Sequence, residues 1–294
     1  MWGVGSMWRK LLIFLVVALS GNGWSGSAFG HNYQARLDVA EWRLDPSPLM
    51  CRLWQPVPNY GDAVFEIRAG EPVKFYVDAY RPVLKPGKAD MAIVAPEWKP
   101  DIQPRALGRT AVVPGKRPIM LDEDKANLFL AELEVGMFPS FTHHAWFEKH
   151  NVTVDVSAVN FQNAYTGYLS CVAGLFPANF DQLQQSLLHF ETDKWVVRGA
   201  LKERLDLISG YATLDPAITK IRIDGHTDSD GRRGYNWELS RKRAQAVKDY
   251  LEAKGVAPEM IEMKYYGEGI PAKNNVNAAN KAVNRRVLVR MERG

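Results

Sequence analysis

The sequence predicts an α+β protein in which a β-dominated first domain precedes a mixed sheet of βαβαββ order. The chain has 294 residues, enough for two domains of ordinary size. Short β-rich runs separated by turn residues fill its first half. After Asn179 the hydrophobic pattern of the sequence changes, and predicted strands begin to alternate with amphipathic helices. We therefore place a signal peptide at residues 1–30, a first domain at 31–178 and a second domain at 179–294.

Residues 1–30 have the pattern of a signal peptide. Two basic residues precede an uninterrupted apolar run at 11–19, and Ala28 and Gly30 fit the small-residue pattern before a cleavage point. The alternative is a retained membrane anchor, but the run is shorter than the roughly 20 residues of a membrane span. We expect export, a mature chain that begins near His31, and no transmembrane segment in it.

The chain contains two cysteines, Cys51 and Cys171. In an oxidising compartment an isolated pair is most simply one disulfide. Two buried free thiols, or one catalytic cysteine, are the alternatives.

The first domain is predicted to be mostly strand. Runs rich in β-branched and aromatic residues predict strands at 63–68, 73–78, 91–94 and 152–156. One segment, 124–133, carries its apolar residues on one helical face and ends near Gly136. We read it as the single helix of this domain.

The second domain shows an alternating order. Strands are predicted at 187–190, 221–224, 261–265 and 287–289, and helices at 194–211 and 239–254. Gly255 closes the second helix. This order predicts a mixed sheet that is covered by helices on one face.

A group of polar residues follows the predicted strand at 221–224. Asp228 lies in a glycine-flanked loop just beyond the strand end, where functional side chains are often displayed. Asn236, Leu239 and Arg243 have the spacing that puts them on one helix face. A carboxylate and a guanidinium together suit a ligand that carries both an amine and a carboxylate. The alternative is a plain Asp–Arg salt bridge that orders the loop.

Four motifs in this domain resemble those of OmpA-type peptidoglycan-binding domains. They are Gly-His-Thr-Asp at 225–228, Asn-x-x-Leu-Ser-x-x-Arg-Ala at 236–244, Tyr-Gly-Glu at 266–268 and Asn-Arg-Arg-Val at 284–287. The resemblance implies that Asp228 and Arg243 hold the diaminopimelate residue of the stem peptide. It implies that the same pocket is lined by Thr227, Asn236, Leu239, Asn284 and Arg285. One departure is Asn280-Lys281, where the family usually carries Gly-Arg.

A second group of sequence runs lies at 51–61, 95–100, 157–162 and 170–171 in the first domain, and at 187–190 at the junction. These runs resemble those of the MotY family of flagellar motor proteins. It implies a periplasmic protein of the flagellar basal body whose first domain joins the basal body, in some species beside MotX. It also implies that the second domain grips peptidoglycan and helps hold stator units. The family's disulfide matches Cys51–Cys171.

Two other readings compete with this one. The first is the metal site of a cell-wall hydrolase, formed by His143, His144 and Glu148. The spacing of these residues is not a zinc pattern, and adjacent residues of a strand point to opposite faces. A generic OmpA- or Pal-like tether between envelope and peptidoglycan is the second. The net charge of +4 is too small to argue for nucleic acid. We expect no enzyme activity, no cofactor and no metal.

Overall fold

The computed structural model describes residues 31–144 and 150–294. The predicted signal peptide at 1–30 and Glu148, which belonged to the disfavoured metal-site interpretation, lie outside the described residues. Within these ranges the chain has mixed helices and sheets, so the α+β prediction is confirmed.

The first domain is built from two sheets and two helices among its described residues. Its elements are β1 (His31–Gln34), β2 (Arg43–Ser47), β3 (Met50–Val57), β4 (Gly61–Arg68), β5 (Lys74–Ala79), β6 (Gly87–Val94), β7 (Arg105–Val112), β8 (Ile119–Leu121), α1 (Glu123–Glu134), β9 (Phe138–His144), β10 (Asn151–Asp155) and α2 (Phe161–Ala173). One sheet has the order β1-β10-β9-β6-β7 and the other β2-β3-β4-β5-β8. All four predicted strands are present.

The two sheets share one apolar core. Along β3, buried and half-buried residues alternate, as expected of a strand with one face turned to a core. Phe75 of one sheet and Phe141 of the other stack with ring centroids 5.6 Å apart. Phe129 of α1 meets both rings edge-on, at 5.4 and 5.5 Å. The first domain is therefore a β-sandwich with α1 packed into its core.

The prediction of a single helix in the first domain is wrong. α1 lies where it was predicted and is followed by Gly136 at φ 78°. α2, however, was missed, because its sequence contains Tyr165, Thr166 and Gly167, which are weak helix formers. Packing of Phe161 and Tyr168 into the sandwich core outweighs that low propensity.

The second domain follows the predicted order with short additions. Its elements are α3 (Phe180–Leu183), β11 (Gln185–His189), α4 (Ala200–Leu214), β12 (Ile218–Gly225), α5 (Arg233–Ala253), a 3₁₀ turn (Pro258–Met260), β13 (Ile261–Tyr265), α6 (Ala278–Asn284) and β14 (Arg286–Arg293). The sheet order is β11-β14-β12-β13, with β12 and β13 parallel and the other pairs antiparallel. The mixed sheet is confirmed. The first long helix begins at Ala200, six residues later than predicted.

The two domains touch at a defined junction. Two turns of the first domain reach the second domain: Leu49 packs against the second core, and Nδ2 of Asn179 donates a hydrogen bond to the carbonyl of Gly70 at 3.3 Å. Cys51 and Cys171 form a disulfide that ties β3 to the end of α2, beside this junction. The predicted pairing is confirmed, and it fixes the turn end of the β2–β3 hairpin to the C-terminal end of α2.

In the part of the chain that the structure describes, no helix has the length and apolar character that crossing a bilayer requires. The same residues contain no cluster of three or more metal-ligating side chains. His143 is buried and His144 exposed, so the two histidines do point to opposite faces of β9.

Candidate functional site

The seven predicted site residues lie at one end of the sheet of the second domain. Thr227 and Asp228 follow β12, whereas Asn284 and Arg285 precede β14, which pairs with β12 in antiparallel register. The remaining three, Asn236, Leu239 and Arg243, are all buried along the first half of α5. The helical spacing seen in the sequence therefore does put them on one face.

Two motif glycines let the backbone close up around the site. A Cβ at Gly225 would collide with the carbonyl oxygen of Ser240 and lie 3.1 Å from the Cβ of Ala244, so α5 packs directly on the end of β12. Gly267 adopts φ 56°, a conformation that suits glycine. Its amide donates to the Ser240 hydroxyl at 3.0 Å. These contacts hold the first turns of α5 against both loops.

Asp228 is 5% exposed and takes part in a buried ion pair. Its Oδ2 accepts a hydrogen bond from Nη1 of Arg285 at 2.9 Å, while its Oδ1 accepts from the Asp230 amide at 3.2 Å. Arg285 also donates from Nε to the carbonyl of Phe190. The carboxylate is thus anchored in its loop and already holds one cation.

Arg243 is completely buried and donates hydrogen bonds to three backbone carbonyls. Its guanidinium donates to Lys194 at 2.8 Å, Glu191 at 3.0 Å and His226 at 3.1 Å. Burial lowers the pKa of Arg243 to about 10, an effect that the nearby Asp228 carboxylate opposes. The side chain therefore stays charged at neutral pH and joins the loop at 191–194 to the end of β12. Asp228 and Arg243, which the sequence suggested as the ligand-holding pair, are not in direct contact.

Three buried polar atoms at this site have no hydrogen-bond partner among the described residues. They are Oγ1 of Thr227, Oδ1 of Asn236 and Nδ1 of His226. Thr227 and Asn236 are each 1% exposed, and buried polar groups normally find a partner. Nδ2 of Asn236 is already bound to Glu268, which leaves the oxygen for something else. Unsatisfied polar atoms beside a carboxylate are a feature of a site built for a polar ligand.

Asn284 uses its side chain on the neighbouring loop instead of leaving it free. Its Oδ1 accepts from the amides of Ala272 and Lys273, and its Nδ2 donates to Lys273 and Asn275. Asn275 in turn accepts from the Ser229 amide, next to Asp228. Asn284 therefore positions the loops that form the site.

Sequence reasoning missed three contributors to this geometry. Glu268 orients Asn236, His226 stacks on Tyr266 with centroids 5.2 Å apart, and Lys281 bonds Asp230 at 2.6 Å. Lys281 belongs to the departure from the family motif. Its ion pair links α6 to the Asp228 loop, so the last loop is held despite the change. The Tyr-Gly-Glu motif was the available signal for Glu268.

Comparison with known proteins identifies both parts of the chain. A family model described as MotY N-terminal domain matches residues 33–177, and one described as OmpA family matches residues 189–285. A peptidoglycan-associated lipoprotein of Pasteurella multocida is 35% identical over 108 residues, which are 37% of this chain and 71% of that protein. The chain belongs to the OmpA family and carries a MotY N-terminal domain.

The likeness to a MotY protein extends across both domains. The sodium-type flagellar protein MotY of Vibrio parahaemolyticus is 27% identical over 273 residues, 92% of this chain and 93% of that protein. The crystal structure of the peptidoglycan-associated lipoprotein from Burkholderia pseudomallei covers 36% of this chain and 89% of its own, at 29% identity and a TM-score of 0.35. The recognition of MotY and OmpA domains in the sequence is confirmed by the family models.

Proposed function

We propose that this protein is a periplasmic component of the bacterial flagellar motor that binds peptidoglycan through its OmpA domain. The observation that carries the proposal is the buried Asp228 carboxylate flanked by unpartnered oxygens of Thr227 and Asn236. It lies in a chain that resembles a flagellar MotY protein over almost its whole length. The role is structural, without enzyme activity or cofactor.

The ligand that fits this site is the diaminopimelate residue of the stem peptide. Its second stereocentre carries a free ammonium and a free carboxylate. The ammonium is a donor for Asp228 and for the two unpartnered oxygens, and charge-assisted hydrogen bonds of this kind are strong. The ligand carboxylate would pair with Arg285, released from Asp228, in the field of the buried Arg243. Leu239 supplies an apolar wall, and Asn284 holds the loop.

We assign the MotY N-terminal domain to the basal body, where it would help hold stator units, in some species beside MotX. The junction between the domains supports such a brace. The packing of Leu49 and a hydrogen bond from Asn179 to Gly70 join the two domains, and the nearby disulfide stabilises the first-domain side of this junction. A load on peptidoglycan could thus pass through the chain to the motor. The alternative is a generic OmpA- or Pal-like tether.

Sedimentation with purified sacculi tests the peptidoglycan site. Asp228→Asn keeps the side-chain shape but removes the charge, so we expect it to abolish sedimentation, and free diaminopimelate should release the wild type. Asp249→Asn on the exposed side of α5 is the matched control and should bind normally. Full binding by Asp228→Asn would refute the site.

Motility tests the choice between a motor component and a tether. Deletion of the gene should impair swimming while the filaments remain. The Asp228→Asn protein, expressed in the deleted strain, should restore swimming poorly. Normal swimming of the deleted strain, in cells with a single stator system, would favour the tether.

A further inference from the structure

A cavity of about 540 Å³ lies in the first domain, between the β3–β4 turn and the end of β5. Tyrosine rings from three places in the chain line it: Tyr33, Tyr60 and Tyr80. Arg81 and Val152 complete this part of the lining. A cavity of this size is in the range of ligand pockets, and tyrosine and arginine are enriched at protein interfaces.

The tyrosine rings are held in place before any ligand arrives. The hydroxyl of Tyr60 is hydrogen-bonded to Nε2 of His143 at 2.8 Å, and that of Tyr80 donates to Asp62 at 3.0 Å. Tyr33 packs on Tyr60 with ring centroids 5.3 Å apart. Because two hydroxyls are engaged elsewhere, these rings offer mainly apolar surface to an occupant. Fixed aromatic rings lose little entropy on binding.

Basic residues lie on two stretches of the chain beside the cavity. The stretches 79–89 and 106–121 contain no Asp or Glu. They are joined by backbone hydrogen bonds, from Ala79 to Lys116 and between Val83 and Gly115. Arg81, Lys85, Lys88 and Lys116 are exposed, and none of the four lies within ion-pair distance of a carboxylate in the described ranges 31–144 and 150–294. Arg117 does lie 3.8 Å from Asp78.

The same two loops expose apolar side chains. Leu84 is 72% exposed and Val113 46% exposed, and Tyr80, at the cavity, is 52% exposed. Unpaired cations beside exposed apolar groups suit a partner with carboxylates and apolar side chains. A walled cavity suits the insertion of one side chain. A flat lipid surface has no side chain to insert into such a cavity.

We propose that this basic tyrosine surface, formed by Tyr33, Tyr60, Tyr80, Arg81, Lys85 and Lys116, binds an acidic, extended segment of a basal-body protein. A proline or other apolar side chain of the segment occupies the tyrosine cavity, since aromatic-lined grooves suit proline-rich chains. Carboxylates on either side of it pair with Arg81 and Lys85. The inference rests on the proposed association of the first domain with the basal body, and it adds where and by what chemistry that association occurs.

Sedimentation with basal bodies, isolated from a strain that lacks this protein, tests the surface. Full-length wild type should sediment with them, and Arg81→Glu/Lys85→Glu should raise the half-saturating concentration at least about tenfold. Tyr80→Ala should also raise the half-saturating concentration. Arg36→Glu/Lys74→Glu is the matched control, because it makes the same charge change at two exposed ion pairs of the first domain that lie outside both stretches. It should bind as the wild type does.

The outcomes separate the two proposals. If the wild type sediments and the Arg81→Glu/Lys85→Glu and Tyr80→Ala variants bind equally well, the surface is refuted while the basal-body role stands. If the wild type itself fails to sediment, both are refuted. Binding of the wild type to phosphatidylglycerol vesicles instead of basal bodies, lost in the double variant, would overturn the protein partner in favour of a membrane. A wild-type circular dichroism spectrum and urea unfolding curve show that each variant keeps its first domain folded.

Discussion

Asp228 forms its ion pair with Arg285, at 2.9 Å, and not with the buried Arg243. The side chains of the pair are only 7% and 17% exposed. In the ligand-free chain the carboxylate therefore already holds a cation. On the proposed function, the ammonium of the stem peptide must compete with Arg285 for Asp228, and the displaced guanidinium then becomes available to the ligand carboxylate.

Arg285→Ala should destabilise the second domain by about 3 kcal/mol, because it leaves the Asp228 carboxylate buried and unpaired. The loss in the free energy of unfolding is measured by urea unfolding, with hydrogen exchange of the β12 amides as the probe of the second domain. Arg198→Ala is the matched control: its ion pair with Glu191 is exposed, so its removal should cost less than about 1 kcal/mol. Equal losses in the two variants would contradict a special role for the buried pair.

Arg243→Lys should release the loop at 191–194 although the positive charge is kept. A lysine ammonium cannot reach the three carbonyls that the planar guanidinium now serves. We expect faster hydrogen exchange at residues 190–195 and weaker sedimentation with sacculi. Arg241→Lys, on the same helix but paired only with Glu238, should change neither. Wild-type exchange rates in Arg243→Lys would rule out this positioning role.

His226 makes the stability of the second domain depend on pH. Burial, with the nearby Arg286 and Arg290 cations, lowers its pKa to about 4, whereas the unfolded side chain titrates near 6.5. Between these values the unfolded state binds the extra proton, so stability is full above pH 6.5 and falls as the pH drops towards 4.

Lowering the pH from 6.5 to 5 should therefore cost about 1.6 kcal/mol through this histidine alone. The measurement is the free energy of unfolding of wild type and His226→Gln at both values. Glutamine does not titrate, so the difference between the two proteins should shrink by this amount at pH 5. Parallel pH curves would show that His226 does not titrate as described.

Cys51→Ser/Cys171→Ser should destabilise the first domain. The bridge spans a sequence separation of 120 residues, and the chain-entropy model gives such a loop on the order of 4–5 kcal/mol. Urea unfolding of the wild type with and without reductant, beside the double variant, measures the effect. Reduced wild type should match the variant. If reduction leaves the unfolding curve and the mobility on non-reducing gels unchanged, the bridge does not form in solution.

Local pattern was enough to predict what depends on neighbours in the chain. The period of a helix placed Asn236, Leu239 and Arg243 on one face, and runs of β-branched and aromatic residues located β4, β5 and β10. The cysteine pair needed only the expectation of an oxidising compartment.

Tertiary structure decided everything that depends on which distant groups meet. The helix predicted from residue 194 begins at Ala200, because the carbonyls of Glu191 and Lys194 are bound by Arg243 and Gly199 turns the chain at φ 53°. The partner of Asp228 is likewise set 57 residues away, by the register of β12 against β14. Sequence determined the residue types and their spacing. The ion-pair partner of Asp228 was decided by packing, because a carboxylate pairs with the cation that the fold brings nearest to it.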